Sequence, residues 1–151
     1  VLVRHQGGFS LVEVMLVLAI LGTLAAISLP VYTAALQRAR IARAIGDIKA
    51  IDTDLRIQQV LKGKLPTTLA EIGRERLRDP WGNAYQYLNF ESAKGKGAMR
   101  KDRFLVPINS DFDLYSMGPD GKTVPPLNAK VSRDDIVRAN DGGFVGLASE
   151  Y

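Results

Sequence analysis

The stretch from Phe9 to Leu29 (FSLVEVMLVLAILGTLAAISL) contains no Lys or Arg, and its only ionisable side chain is Glu13. As an α-helix its twenty-one residues would reach about 31 Å, the thickness of a bilayer's hydrocarbon layer. A helix that is apolar on every side needs lipid or other apolar helices around it. Glu13 is then the anomaly, because an unpaired carboxylate in such surroundings is costly. Gly22 and Pro30 are the weak points of the helix, and Pro30, which lacks an N–H, predicts a kink or a loosened turn.

Beyond Pro30 the helical pattern resumes. Ile41, Ile45, Ile48, Ile51 and Leu55 recur every three or four residues, with Arg38, Arg40, Arg43, Lys49, Asp54 and Arg56 on other faces. Gly63 suits a C-cap. One helix of roughly fifty residues is expected, apolar in its first half and amphipathic in its second. Thr68-x-x-Glu71 matches a capping box for a short helix from Leu69 to Gly73 or a little beyond. Asp79-Pro80-Trp81-Gly82-Asn83 reads as a turn, and Ala84–Phe90 as a strand with Tyr85 and Tyr87 on one face. Phe104–Ile108 and Phe112–Ser116 read as two further strands, the first at an edge because of Pro107. Gly118-Pro119-Asp120-Gly121 is another turn, and the remainder is rich in turn residues and acids. The fold class is α+β: a long N-terminal helix whose second half lies on a small antiparallel sheet with a C-terminal loop. The expected division is a leader (1–8), an apolar segment (9–30), an amphipathic half-helix (31–63) and a C-terminal globular region (64–151).

Composition narrows the function. There is no cysteine, which removes disulfides and thiolate metal sites, and the single histidine, His5, leaves no His-based triad or ordinary zinc site. The net charge of +4 is scattered. Lys94, Lys96, Arg100, Lys101 and Arg103 cluster without interleaved aromatics, which fits a solvated loop better than a nucleic-acid surface, so no nucleic-acid partner is expected.

Three readings of the apolar segment remain. A cleaved secretory signal has a small-residue site available at Thr33-Ala34-Ala35, but the segment is long for one and runs into a helix without a break. An ordinary signal anchor leaves Glu13 without a purpose. The third reading is a resemblance. Gly8-Phe9-Ser10-Leu11-Val12-Glu13 followed by an apolar run resembles the class III signal of type IV pilins and type II secretion pseudopilins. That resemblance implies cleavage after Gly8 by a prepilin peptidase and N-methylation of Phe9. It implies that Glu13 serves filament assembly by meeting the N-terminal amine of a neighbouring subunit. In low dielectric such a pair offsets much of the cost of burying either charge. An acid that snorkels to the membrane interface is the alternative for Glu13.

Two stretches of the globular region, Asp79–Tyr87 (DPWGNAYQY) and Asp111–Gly121 (DFDLYSMGPDG), resemble the signature segments of the major, G-type pseudopilins of type II secretion. The residues themselves suggest structural roles, with Trp81 filling the junction of helix and sheet. The resemblance implies a loop wrapped round calcium. Asp120, Ser132, Asp134 and Asp135 would supply side chains and Met117 and Val131 carbonyls. Calcium takes six to eight oxygen ligands of these kinds. Without the resemblance, Asp134-Asp135 would suit a helix N-cap. The segment Lys122–Arg133, the insert Ala93–Arg103 and the tail to Tyr151 depart from the G-type pattern.

The expectation is a non-enzymatic subunit of a periplasmic filament that drives folded proteins across the outer membrane. It would be anchored in the inner membrane with its C-terminal domain in the periplasm. Its partners would be further copies of itself, the prepilin peptidase, the inner-membrane assembly platform and minor pseudopilins. A type IV pilus subunit for adhesion, motility or DNA uptake is the alternative within the same class. A membrane-anchored periplasmic enzyme is the alternative outside it, disfavoured by the lack of a nucleophile–base constellation.

Overall fold

The computed structural model describes residues 8–151, so the expected leader lies outside the described residues except for Gly8. A single α-helix, α1, runs over Leu11–Lys62. The chain divides within it into two units, one ending at Arg38 and the other spanning Ala39–Tyr151.

In the first unit every residue from Leu11 to Arg38 is exposed. The helix continues through Pro30 without a break. Its few hydroxyls turn back onto the backbone: Thr23 donates to the Ile20 carbonyl (2.8 Å), Ser28 to that of Leu24 (2.8 Å) and Thr33 to that of Pro30 (3.0 Å). Hydrogen bonding within the helix lets these polar groups sit among apolar neighbours without needing water.

The second unit has its own core. Ala44, Ile48, Ile51 and Leu55 form a fully buried stripe along α1; the last three belong to the expected series, whose Ile41 and Ile45 are half-buried beside it. Gly63 ends the helix with φ +74°, and its N–H donates to the Gln59 carbonyl (2.8 Å). Four strands follow, β1 (Gln86–Asn89), β2 (Phe112–Ser116), β3 (Ile136–Ala139) and β4 (Phe144–Leu147), each antiparallel to the next in the order β1-β2-β3-β4. Gln86 pairs with Tyr115, Ser116 with Ile136, and Ala139 with Phe144. Phe112, Leu114 and Ile136 join the helical stripe in one cluster, while Val137 and Ala139 pack on Ile108, Leu127 and Ala148 in a second. The sheet is therefore covered on both faces, and the α+β, pilin-like arrangement expected from the sequence is the one present.

Several local expectations change. Phe104–Ile108 is not a strand. Asp102 and Leu105 exchange backbone hydrogen bonds (3.0 and 2.7 Å) across a tight turn in which Arg103 has φ +45°. In the expected capping box, Thr68 makes no side-chain cap, whereas Glu71 accepts from the Thr67 N–H at 2.7 Å, one residue earlier. That bond is the main influence holding the Glu71 carboxyl below its ordinary range. β3 and β4 lie in the stretch that reads as turn residues and acids. All four β3 residues are buried, so the period of two that marks a one-faced strand is missing. The turn joining them relies on Asn140 and Asp141, both at positive φ (51° and 55°), where these two side chains are tolerated best after glycine.

Candidate functional site

The segment expected to direct processing and assembly begins α1. Gly8 is exposed, and Phe9 is 82% exposed. Ser10 and Glu13 cap the helix reciprocally. The Glu13 N–H donates to Ser10 Oγ (3.2 Å), and the Ser10 N–H donates to Glu13 Oε2 (3.4 Å). This is a capping box outside the sequence expectations, although the Ser-x-x-Glu pattern marks it. The carboxylate also lies in the first turn, where the helix dipole favours negative charge. Glu13 thus has a partner within its own chain, placed beside the residue that cleavage after Gly8 would make N-terminal. The same helix is long and apolar enough to cross a membrane.

In the globular unit the two signature segments form one clasp. Asp79 Oδ1 accepts from the N–H groups of Trp81 (3.0 Å) and Asn83 (2.8 Å), which shapes the first turn. Asp79 Oδ2 accepts from Ser116 Oγ (2.6 Å), and that oxygen accepts the Gly118 N–H (3.1 Å). Asn83 Nδ2 donates to the Gly118 carbonyl (2.9 Å). Gly118 has φ +64°, and a Cβ there would lie 2.3 Å from the Asp134 carbonyl oxygen, so only glycine fits. Trp81 packs against the main core. Tyr85 donates to Asp47 Oδ2 (2.9 Å) and Tyr87 to the Pro66 carbonyl (2.7 Å), and burial pushes both phenols above their ordinary range.

A second polar assembly joins α1 to the sheet through Arg138, whose side chain is fully buried. Its Nε donates to Asp52 Oδ1 (2.7 Å), and Nη1 and Nη2 grip the two oxygens of Asp111 (2.8 Å each). The guanidinium carbon stands 3.9 Å from the centre of the Phe112 ring. Nearby, Arg56 donates to Asp52 Oδ2 (3.1 Å) and to the Asp141 carbonyl (2.6 Å). Burial raises the Asp141 carboxyl, but its two hydrogen bonds from Ser110 (2.7 Å each) outweigh that and leave it below the usual carboxylate range. Arg138 is flanked by apolar Ile136, Val137 and Ala139, and that context is the only sequence sign of its role.

Of the residues expected around calcium, Asp120, Ser132 and Asp135 have other partners. Ser132 Oγ accepts the Val124 N–H (3.0 Å) and donates to the Val124 carbonyl (2.8 Å). Asp135 is fully buried, paired with Arg100 Nη2, and accepts from Thr123 Oγ1 (2.6 Å). Burial pushes its carboxyl up to about 6, against the pull of Thr123 and Arg100. Asp120 accepts the Lys122 N–H (2.8 Å) within its own turn. Asp134 lies against Gly118, the residue after Met117, and Val131 is in a short helical turn over Lys130–Ser132. Among the described residues no three His, Cys, Asp or Glu side chains converge as a metal site. As arranged, Ser132 and Asp135 do not fit a calcium ion. Arg100 departs from expectation: the basic cluster it belongs to reads as a solvated loop, yet its side chain is 2% exposed.

The family described as Prokaryotic N-terminal methylation motif matches residues 3–29. The chain is similar to type II secretion system core protein G of Pseudomonas aeruginosa, 34% identical over an alignment of 142 residues that covers 79% of this chain and 87% of that protein. It is 30% identical to the protein of the same name from Vibrio cholerae, with 79% and 84% covered. A fimbrial protein of Pseudomonas aeruginosa is 39% identical over 61 residues, 40% of this chain and 39% of its own. No solved structure matches the chain.

Proposed function

The chain belongs to the family of type II secretion system core protein G, and from that premise we propose that it is a major pseudopilin, a structural subunit that polymerises into a secretion filament. The observation that carries this reading is the helix from Leu11 to Arg38, exposed throughout and headed by the Ser10–Glu13 box. A lone subunit gives that surface nothing to pack against. Lipid covers it before assembly and other copies of the same helix cover it afterwards.

Cleavage after Gly8 turns the Phe9 amide into an amine, which N-methylation leaves able to carry a charge. Glu13, one helical turn away, is the only carboxylate in the apolar segment. In the membrane its own Ser10 N–H and the helix N-terminus hold it. In the filament it pairs with the amine of an adjacent subunit, fixing the axial register of the stack. The globular unit lies on the periplasmic side, where growth of the stack pushes folded cargo toward the outer membrane. The prepilin peptidase acts on this N-terminal region, and the inner-membrane assembly platform and minor pseudopilins are the further partners. The fimbrial relative shares only two-fifths of the chain, so a surface pilus is the weaker reading.

Intact mass of the protein from peptidase-positive cells tests the processing step. A chain beginning at singly methylated Phe9 is expected, and a chain still carrying residues 1–8 would refute it. Glu13→Leu is expected to insert in the membrane and fold its globular unit yet yield no filaments. Filaments in normal number would remove the role given to Glu13.

A further inference from the structure

We propose that Arg100, paired with one of the expected calcium ligands, Asp135, takes the ion's part in the C-terminal loop, so that this chain closes the loop with its own guanidinium and needs no bound calcium. Three oxygens of the kinds calcium takes converge on that side chain. They are Asp135 Oδ2 at Nη2, Thr123 Oγ1 at Nη1, and the Val124 carbonyl at Nη1 (2.7 Å). A carboxylate, a hydroxyl and a carbonyl therefore surround a permanent positive charge. Tyr115 closes the site, its ring centre 4.4 Å from the guanidinium carbon.

The backbone holds the arginine as firmly as its side chain does. The Arg100 N–H donates to Asp113 Oδ2 (2.6 Å), and the Ile108 N–H donates to the Arg100 carbonyl (3.1 Å). Lys101 and Leu127 continue the link, with the Leu127 N–H donating to the Lys101 carbonyl (2.9 Å). The insert that carries Arg100 is thus tied to β2 and to the segment leading to Asp135. A guanidinium stays charged at any pH a protein survives and presents a rigid fork to oxygens. Unlike a metal ion it is covalently part of the chain, so its effective concentration at the site does not depend on the medium.

A cleft of about 180 Å³ lined by Arg100, Tyr115, Thr123 and Val124, with Ala98 and Pro125, borders the guanidinium. Removing the side chain would extend that cleft to Asp135, whose Oδ1 has no partner among the described residues. Calcium should then be able to enter where the arginine excludes it.

The test uses the full chain, prepared in calcium-containing buffer and held in detergent micelles, with unfolding followed by the fluorescence of its single tryptophan, Trp81. EGTA is expected to leave the melting midpoint of the unmodified chain unchanged. Arg100→Ala is expected to lower it by about 10 °C or more, since it strands a buried carboxylate. Added calcium should then recover part of that loss in the variant and do nothing to the unmodified chain. A midpoint that falls with EGTA in the unmodified chain overturns the proposal. So does an Arg100→Ala chain as stable as the original, or one that calcium leaves unmoved. If Arg100→Ala does not accumulate, Arg100→Lys decides, because it keeps the charge without the fork. A lowered midpoint, together with an EGTA-insensitive unmodified chain, supports the proposal, and an unchanged one overturns it.

Discussion

From Leu11 to Arg38 the helix buries nothing, whereas from Ala39 onward the same helix presents a fully buried stripe to a sheet. The two stretches share one secondary structure and differ in what completes them. The first is held by backbone hydrogen bonds, by hydroxyls turned inward and by whatever apolar medium surrounds it. The second is held by a core and by buried arginines that lock distant segments together. Substitutions in the first stretch should therefore register in assembly, and those in the second in folding.

The sharpest way to break this contrast is at Arg138. Arg138→Ala removes the buried cation between Asp52 and Asp111 and leaves them only the more exposed Arg56. Removing one partner of a buried ion pair costs about 3–5 kcal/mol, so urea unfolding of the globular unit should shift by that amount while membrane insertion stays intact. Next come two matched truncations. Ile51→Ala, at a fully buried position, should destabilise by about 2–5 kcal/mol. Leu21→Ala, more than half exposed, should change unfolding by less than about 0.5 kcal/mol and reduce filament yield instead. Equal effects of these two on unfolding would erase the distinction between the stretches.

Sequence made the first stretch legible because its main constraint, an unbroken apolar run, is local; the Ser10–Glu13 cap emerges only in the structure, and Pro30 brings no break in the helix. The buried isoleucines Ile48 and Ile51 with Leu55, and β1 and β2, could also be read, since each has its own periodicity. β3 could not, because a strand buried on both faces shows no alternation and Arg138 looks like a surface residue. Arg100 failed for a related reason. Glycines and lysines surround it, and what buries it is Asp135, thirty-five residues on, and Tyr115. Long-range polar pairing leaves little local trace.

Smaller effects sharpen the comparison at its two ends. Ser10→Ala removes one half of the reciprocal cap and should cost about 1 kcal/mol of helix stability, seen as faster hydrogen exchange at the Glu13 amide with no change in the unfolding of the globular unit. Asp141, held below its unfolded value by Ser110, contributes stability above the ordinary carboxylate pKa. That contribution is lost as pH falls through its lowered folded-state pKa. Asp141→Asn should therefore flatten the acid limb of the stability profile slightly, as measured by thermal unfolding from neutral pH downward, and leave membrane insertion untouched.

The clasp between Asp79 and Ser116 has a consequence for inheritance. Each turn is finished by polar groups from the other: Ser116 Oγ donates to Asp79, and Asn83 donates to the Gly118 carbonyl. A chimaera that took residues 79–83 from one relative and 116–121 from another would strand a buried carboxylate or hydroxyl unless both donors carried the same pair. The two segments are thus one exchangeable part encoded in two places, and recombination between them succeeds only when they travel together.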